Sequence, residues 1–176
     1  TLTPEPYNHW TEKEIFEQVD SVLRVISLGG RLLSTNQVKL GGLDQYKSEL
    51  LKINNLILLG CGTSYFAAQC GKKYINDLCN FNTIQVIDGG EFELSDIPNS
   101  GYTALILLSQ SGETKDLHRC LELCKDLDII TIGVVNVVNS LIAREVDCGC
   151  YLNAGREVGV ASTKSFTSMV IVLSLI

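Results

Sequence analysis

The sequence predicts an α/β fold: a three-layer α/β/α sandwich on a five-stranded parallel sheet. Three observations predict it. Short apolar runs bounded by turn residues alternate with amphipathic stretches, the pattern of buried parallel strands separated by helices. At 176 residues the chain is long enough for one full core and too short for two ordinary domains. Two of the apolar runs feed loops rich in glycine and hydroxyl side chains, and open α/β sheets present ligand sites at the carboxyl ends of their strands.

Taken in order, residues 1–10 are polar, contain Pro4 and Pro6, and read as a linker with no signal peptide. From Thr11 to Leu33, Ile15, Val19, Val22, Leu23 and Ile26 recur at helical spacing, so one long helix is expected to pack that stripe against the domain. Thr11 and Glu14 have the spacing of a capping box at its start. The Gly41-Gly42 break precedes a second helix over Leu43–Lys52. The five strands fall at Leu56–Leu59, Ile84–Asp88, Ala104–Leu108, Ile130–Val135 and Gly149–Leu152. Helices are expected at Ser64–Leu78, Glu113–Leu127 and Ser140–Glu145, with a short one near Glu91–Leu94 and an apolar one starting near Ser162. The first residue is not Met and the apolar helix has no cap, which suggests a piece of a longer protein with one domain over residues 11–176. Right-handed crossovers favour a flavodoxin-like strand order, 2-1-3-4-5. Strands one and three are then neighbours, and the loops that follow them, Gly60–Ser64 and Ser109–Thr114, face each other.

The strongest chemical signal is Ser109-Gln110-Ser111-Gly112-Glu113-Thr114. It leaves an apolar strand with three hydroxyls and a glycine, and it opens a helix whose first N–H groups and dipole attract anions. Such a loop surrounds a phosphate with neutral donors, so a phosphorylated ligand is expected. Gly60-Cys61-Gly62-Thr63-Ser64 is a looser match to a glycine loop, because Tyr65 stands where GxGxxG needs its third glycine; a dinucleotide fold is disfavoured. Gly60 and Gly62 let the main chain approach a ligand, and Thr63 and Ser64 supply a helix cap and two further hydroxyls. Taken alone, an ordinary strand-to-helix turn explains that loop about as well. A third cluster, Ala154 to Lys164, is rich in small residues ahead of the last helix. Within it Glu157 is the carboxylate placed to meet sugar hydroxyls or a partner chain, while Arg156 and Lys164 read as solvated charges beside a cap.

Other features have simpler readings. Asp88-Gly89-Gly90-Glu91 is a turn with a helix-capping Asp, not an acid/base pair or metal site. His118 is a surface residue on a helix flank. Cys61 lies near a helix N-terminus, which lowers a thiol pKa, but with no base beside it in sequence it reads as structural. Seven cysteines without a CxxC pair, and two histidines far apart, give no zinc spacing; reduced thiols packed as small hydrophobes in a cytoplasmic protein are expected. A net charge of -6, with 20 acidic against 14 basic residues and no basic run, argues against a nucleic-acid partner. The apolar stretch Met169 to Ile176 is too short to span a membrane.

Taken together, Gly60 to Tyr65, Ser109 to Thr114 and Glu157-Val158-Gly159-Val160-Ala161-Ser162-Thr163-Lys164 closely resemble the sugar isomerase (SIS) domain family. Within it they are similar to the isomerase part of the glutamine–fructose-6-phosphate aminotransferases, over nearly the whole chain. His9 to Gln18 resembles the junction that follows the glutaminase domain there, although Val19 and Asp20 replace a Pro-containing continuation. The resemblance implies that fructose 6-phosphate or glucosamine 6-phosphate is held by Ser109, Gln110, Ser111 and Thr114, with Thr63 and Ser64 opposite and Gly62 and Glu157 beside them. Val160, through its main chain, and Ser162 contact the sugar. It implies no metal or organic cofactor, a homodimer, and a role in making glucosamine 6-phosphate for UDP-N-acetylglucosamine synthesis. The proton shift between C1 and C2 needs a carboxylate base, and ring opening and imine formation need a His and a Lys. The resemblance puts those groups in a second SIS subdomain, so no catalytic residue is expected in this chain and little activity from it alone. Two other readings remain: a non-catalytic SIS domain that senses a sugar phosphate and regulates a partner, and a dehydrogenase half, which the incomplete glycine fingerprint disfavours.

Overall fold

A computed structural model describes residues 3–176; the expected linker over residues 1–10 lies outside them at positions 1 and 2. The main sheet consists of β1 (Asn55–Gly60), β2 (Thr83–Asp88), β3 (Thr103–Ser109), β4 (Ile129–Val135) and β5 (Cys148–Tyr151). All five are parallel in the order β2-β1-β3-β4-β5, the expected flavodoxin-like order, and each strand lies within one residue of its expected bounds. Every residue of β1 and β3 is buried, which is why both read as unbroken apolar runs rather than alternating ones.

Alternation along these strands builds a core on each face. Leu56, Leu58, Ala104, Ile106 and Leu108 point to one side, where α4 (Thr63–Leu78) contributes Ala67, Ala68 and Ile75 and α7 (Lys164–Leu175) contributes Met169, Val172 and Leu173. Ile57, Leu59, Leu105 and Leu107 point to the other, under Leu117, Cys120, Leu121 and Cys124 of α5 (Lys115–Cys124) and Ile142 of α6 (Leu141–Glu145). Each such Leu or Ile contributes roughly 1.5–3 kcal/mol by leaving water. Gly71 lets α4 meet α7, since a Cβ there would lie 2.4 Å from Leu173 Cδ1. α5 stops at Cys124, short of the expected Leu127, in a turn closed by Leu127 N–H to Cys124 C=O at 3.0 Å.

The amino-terminal arm departs from expectation. The single helix over Thr11–Leu33 is instead α1 (Trp10–Phe16) and α2 (Gln18–Val25), jointed at Glu17, then a 3-10 turn at Ser27–Gly29. Ser27, Leu28 and Gly29 all have positive φ, which ends the helix, and Leu32–Ser34 pairs with Gln37–Val38 as a short antiparallel ribbon. His9, not Thr11, is the N-cap, and it makes no side-chain cap bond. The expected inward stripe points partly outward: Ile15, Val19 and Leu23 are exposed, Val19 at 74%, whereas Glu14 and Ser21 are buried beside Val25. Over Leu43–Lys52 there is a 3-10 turn, Asp44–Tyr46, and one turn of helix, α3 (Lys47–Leu50). The short helix expected at Glu91–Leu94 is displaced to a 3-10 turn at Leu94–Asp96, closed by reciprocal bonds between Glu93 and Asp96. Asp88 Oδ1 accepts the Gly90 N–H at 3.0 Å, which makes it a turn residue rather than a helix cap. No helix among the described residues is long and apolar enough to cross a membrane.

Candidate functional site

β1 and β3 are adjacent and parallel, so the loops at their carboxyl ends leave the same edge of the sheet. The first runs from Gly60 into α4. A Cβ at Gly60 would lie 2.7 Å from the Ser64 carbonyl carbon, so only glycine fits beneath the first turn. Gly62 is the N-cap, at φ 57° and ψ -124°, a conformation that side chains avoid, and its Cβ position faces open space. Thr63 and Ser64 lie inside the first turn and neither caps it, contrary to expectation. Their hydroxyls are therefore available at the helix end that attracts anions. Burial, and secondarily the charge of Asp88, pushes the Cys61 thiol up, opposite to the lowering its place near a helix start predicts.

The second loop organises itself. The buried Ser109 Oγ accepts the Gly112 N–H at 2.9 Å and shares a hydrogen bond with Thr114 Oγ1 at 2.8 Å. Ser111 Oγ accepts the Glu113 N–H at 3.1 Å. Gly112 sits at φ +67°, and a Cβ on it would fall 2.0 Å from Ser140 Oγ, so the loop packs flush against the start of α6. Two further bonds fasten it there: Glu113 Oε1 accepts the Leu141 N–H at 2.9 Å, and the Gly112 carbonyl accepts the Ile142 N–H at 3.0 Å. Thr114 is the N-cap of α5 but gives no side-chain cap bond, and the first helical bond is His118 N–H to Thr114 C=O. The N–H groups of the first turn of α5 thus lack helical partners, beside the hydroxyls of Ser111 and Thr114.

The third loop, residues 153–163, is held by residues far away in sequence. Arg24 donates to the Asn153 and Ala154 carbonyls at 3.3 and 2.9 Å. The Asn136 side chain accepts the Ala154 N–H at 2.9 Å and donates to the Gly155 carbonyl at 2.7 Å, and its own N–H reaches Gln110 C=O at 3.3 Å. Glu14 Oε1 accepts the Val158 N–H at 2.5 Å, and Oε1 and Oε2 both receive the Gly159 N–H. Glu157 is not free to meet a sugar. Its carboxylate accepts Thr163 N–H, Thr163 Oγ1, Ser165 N–H and Ser162 Oγ at 2.9–3.3 Å, and so holds the start of α7. Lys164 is buried and paired with Glu17 at 2.5 Å, a correction to its reading as a solvated charge; Arg156 is exposed as expected. Val160 protrudes fully into solvent.

The sheet edge therefore brings together the glycine loop with Gly62, Thr63 and Ser64, and the self-ordered loop with Gln110, Ser111 and Thr114. Ser109 serves as their internal strut. His118 lies elsewhere, paired with Glu145 at 2.9 Å in a cavity of about 320 Å³ that opens at the amino ends of β4 and β5. Among the described residues no three His, Cys, Asp and Glu side chains are grouped to hold a metal ion.

A profile of the SIS domain matches residues 49–176. The chain belongs to the SIS domain family. Among the relatives of this SIS domain is a probable glutamine–fructose-6-phosphate aminotransferase [isomerizing] of Acanthamoeba polyphaga mimivirus, 49% identical over 99% of this chain and 28% of that protein. Another is glutamine–fructose-6-phosphate aminotransferase [isomerizing] 2 of Homo sapiens, 41% identical over 95% of this chain and 24% of that protein. The chain thus spans about a quarter of the length of the curated relatives it matches. Among solved structures, the C-terminal domain of glucosamine-fructose-6-phosphate aminotransferase from Francisella tularensis superposes with a TM-score of 0.85 at 30% identity, over 99% of this chain and 48% of that one.

Sequence reasoning missed Glu14, Arg24 and Asn136. For Glu14 a signal existed: Glu14, Gln18, Ser21 and Val25 repeat at helical spacing, a second stripe beside the apolar one.

Proposed function

We propose that this SIS domain binds the phosphate of fructose 6-phosphate or glucosamine 6-phosphate as part of a glutamine–fructose-6-phosphate aminotransferase that makes glucosamine 6-phosphate. The observation that carries the reading is the loop from Ser109 to Thr114, folded by its own hydroxyls over the N-terminus of α5 and set beside the N-terminus of α4. In this reading Gln110, Ser111 and Thr114, with Thr63 and Ser64, surround the phosphate, and Ser109 keeps the loop in shape. Val160 and Ser162 meet the sugar. The names of the relatives support the choice of substrate.

The phosphate anchor lets the parent enzyme hold the sugar while other groups act on C1 and C2. Those groups are proposed to lie in a second SIS subdomain, which, like an upstream glutaminase domain that supplies ammonia, belongs to sequence beyond this chain. The parent is proposed to be a cytoplasmic homodimer that works without metal or organic cofactor.

Titrating the chain with fructose 6-phosphate, glucosamine 6-phosphate and NAD tests this. Saturable binding of either sugar phosphate, with none of NAD, is expected. Saturable NAD binding without a sugar-phosphate response overturns the reading.

A further inference from the structure

The third loop has no regular structure from Leu152 to Thr163, yet it must present Val160 and Ser162 in one place if it is to read a sugar. Several of the ties that shape it come from the amino-terminal arm. Arg24 holds its beginning at Asn153 and Ala154, Glu14 its middle at Val158 and Gly159, and Glu17 its end through Lys164. Glu14 is the tightest of the three. It is 1% exposed, and its carboxylate takes two consecutive N–H groups immediately before Val160. Two adjacent N–H groups aimed at one point form a small anion seat, here filled by the protein's own carboxylate. Gly159 adds a steric lock: a Cβ there would lie 2.7 Å from Glu14 Oε2 and 2.8 Å from Thr11 Oγ1. A buried carboxylate with two charge-assisted bonds is an expensive group to place only for packing, since an apolar side chain would fill the same volume without desolvating a charge.

We infer that Glu14 is a positioning residue for the sugar-reading loop: by fixing the Val158 and Gly159 N–H groups it sets the main chain at Val160, and so controls discrimination of the sugar without touching the phosphate. The inference rests on the proposed function for its ligand. It divides the work of the site. The loop at Ser109–Thr114 recognises the phosphate from local contacts, and the amino-terminal arm controls what may sit on the far side of it.

Glu14→Gln keeps the side-chain volume, removes the charge and turns one of the two oxygens into a donor facing N–H groups. Binding of fructose 6-phosphate and of inorganic phosphate is measured on the wild-type and variant chains, with hydrogen exchange at the amides of Val158 and Gly159. Loss of a charged hydrogen-bond acceptor corresponds to roughly tenfold or more in an equilibrium constant. The expected result is about that weakening for fructose 6-phosphate, no change for inorganic phosphate, and faster exchange at both amides. Equal weakening of both ligands makes Glu14 a general structural residue and overturns the inference, as does unchanged fructose 6-phosphate binding. If the wild-type chain binds inorganic phosphate but no sugar phosphate, the proposed function fails first, and unchanged exchange in the variant then sinks the loop-fixing role separately. Arg24→Met, which releases the loop from an exposed side, provides the same measurements if Glu14→Gln does not fold; a smaller change in the same direction is expected, and none overturns the inference.

Discussion

The loop after β3 and the loop after β5 flank the same sheet edge but are stabilised in different ways. The first closes on itself: its hydrogen bonds join Ser109 to Gly112 and Thr114, and Ser111 to Glu113, within a few residues. The second is tied by Glu14, Glu17 and Arg24, each more than a hundred residues away, as well as by Asn136 at the neighbouring strand's end and by its own Glu157. Closing a loop over a few residues costs less chain entropy than joining residues more than a hundred apart. A phosphate is the same on every sugar phosphate and suits a self-contained reader. The sugar differs, and the loop proposed to meet it is held in part by the distant Glu14, Glu17 and Arg24.

Replacing Gly112 with Ala is the strongest test of the loop after β3 and of its seat on the start of α6. The positive φ and the clash with Ser140 Oγ predict a loss of roughly 2–4 kcal/mol by urea unfolding, with phosphate binding abolished. Exchange at Val158 and Gly159 should stay slow; if it quickens, the two regions are not separate. Glu17→Ala tests the other side by leaving Lys164, 3% exposed, without its partner. A loss of about 2–3 kcal/mol is expected, below that of a fully enclosed pair because Glu17 keeps nearly a third of its surface in water, and Lys164→Met in the same background should recover much of it. Recovery in the double variant, measured by the unfolding midpoint, separates an uncompensated charge from lost packing.

A further test concerns what both loops rest on. Burial pushes the thiols of Cys120, in α5, and Cys148, in β5, up to about 12. The folded chain keeps those protons while the unfolded chain releases them near the ordinary thiol value, so their contribution is complete below about pH 9 and is lost as pH rises towards about 12. The urea midpoint should fall across that window, and Cys120→Ala and Cys148→Ala should each flatten the fall. A flat profile in the wild-type chain would show that neither thiol titrates with unfolding.

The sheet was legible because its signals are local: Leu105 to Leu108 and Ile130 to Val135 are apolar runs that no helix pattern explains, and the glycines that end β1 announce the turn. The place of the Ser109–Thr114 loop was legible for the same reason. The arm was not. Its amphipathic pattern pointed Ile15, Val19 and Leu23 inward, whereas the buried positions belong to Glu14 and Ser21, because the groups that satisfy Glu14 and Glu17 lie at Val158, Gly159 and Lys164. No window of sequence contains both halves of those pairs. Glu157 shows the same limit at shorter range: its bonds to the Thr163 and Ser165 N–H groups depend on the turn between it and α7.

The joint at Glu17 bears on where this unit begins. The family match starts at residue 49, and a segment cut there retains every residue expected to meet a ligand, from Gly62 to Ser162. It leaves behind Glu14, Glu17 and Arg24. On the inference drawn for Glu14, the unit that sets sugar discrimination is longer than the matched domain, and exchanging residues 49–176 alone between relatives is expected to transfer phosphate binding without the sugar preference.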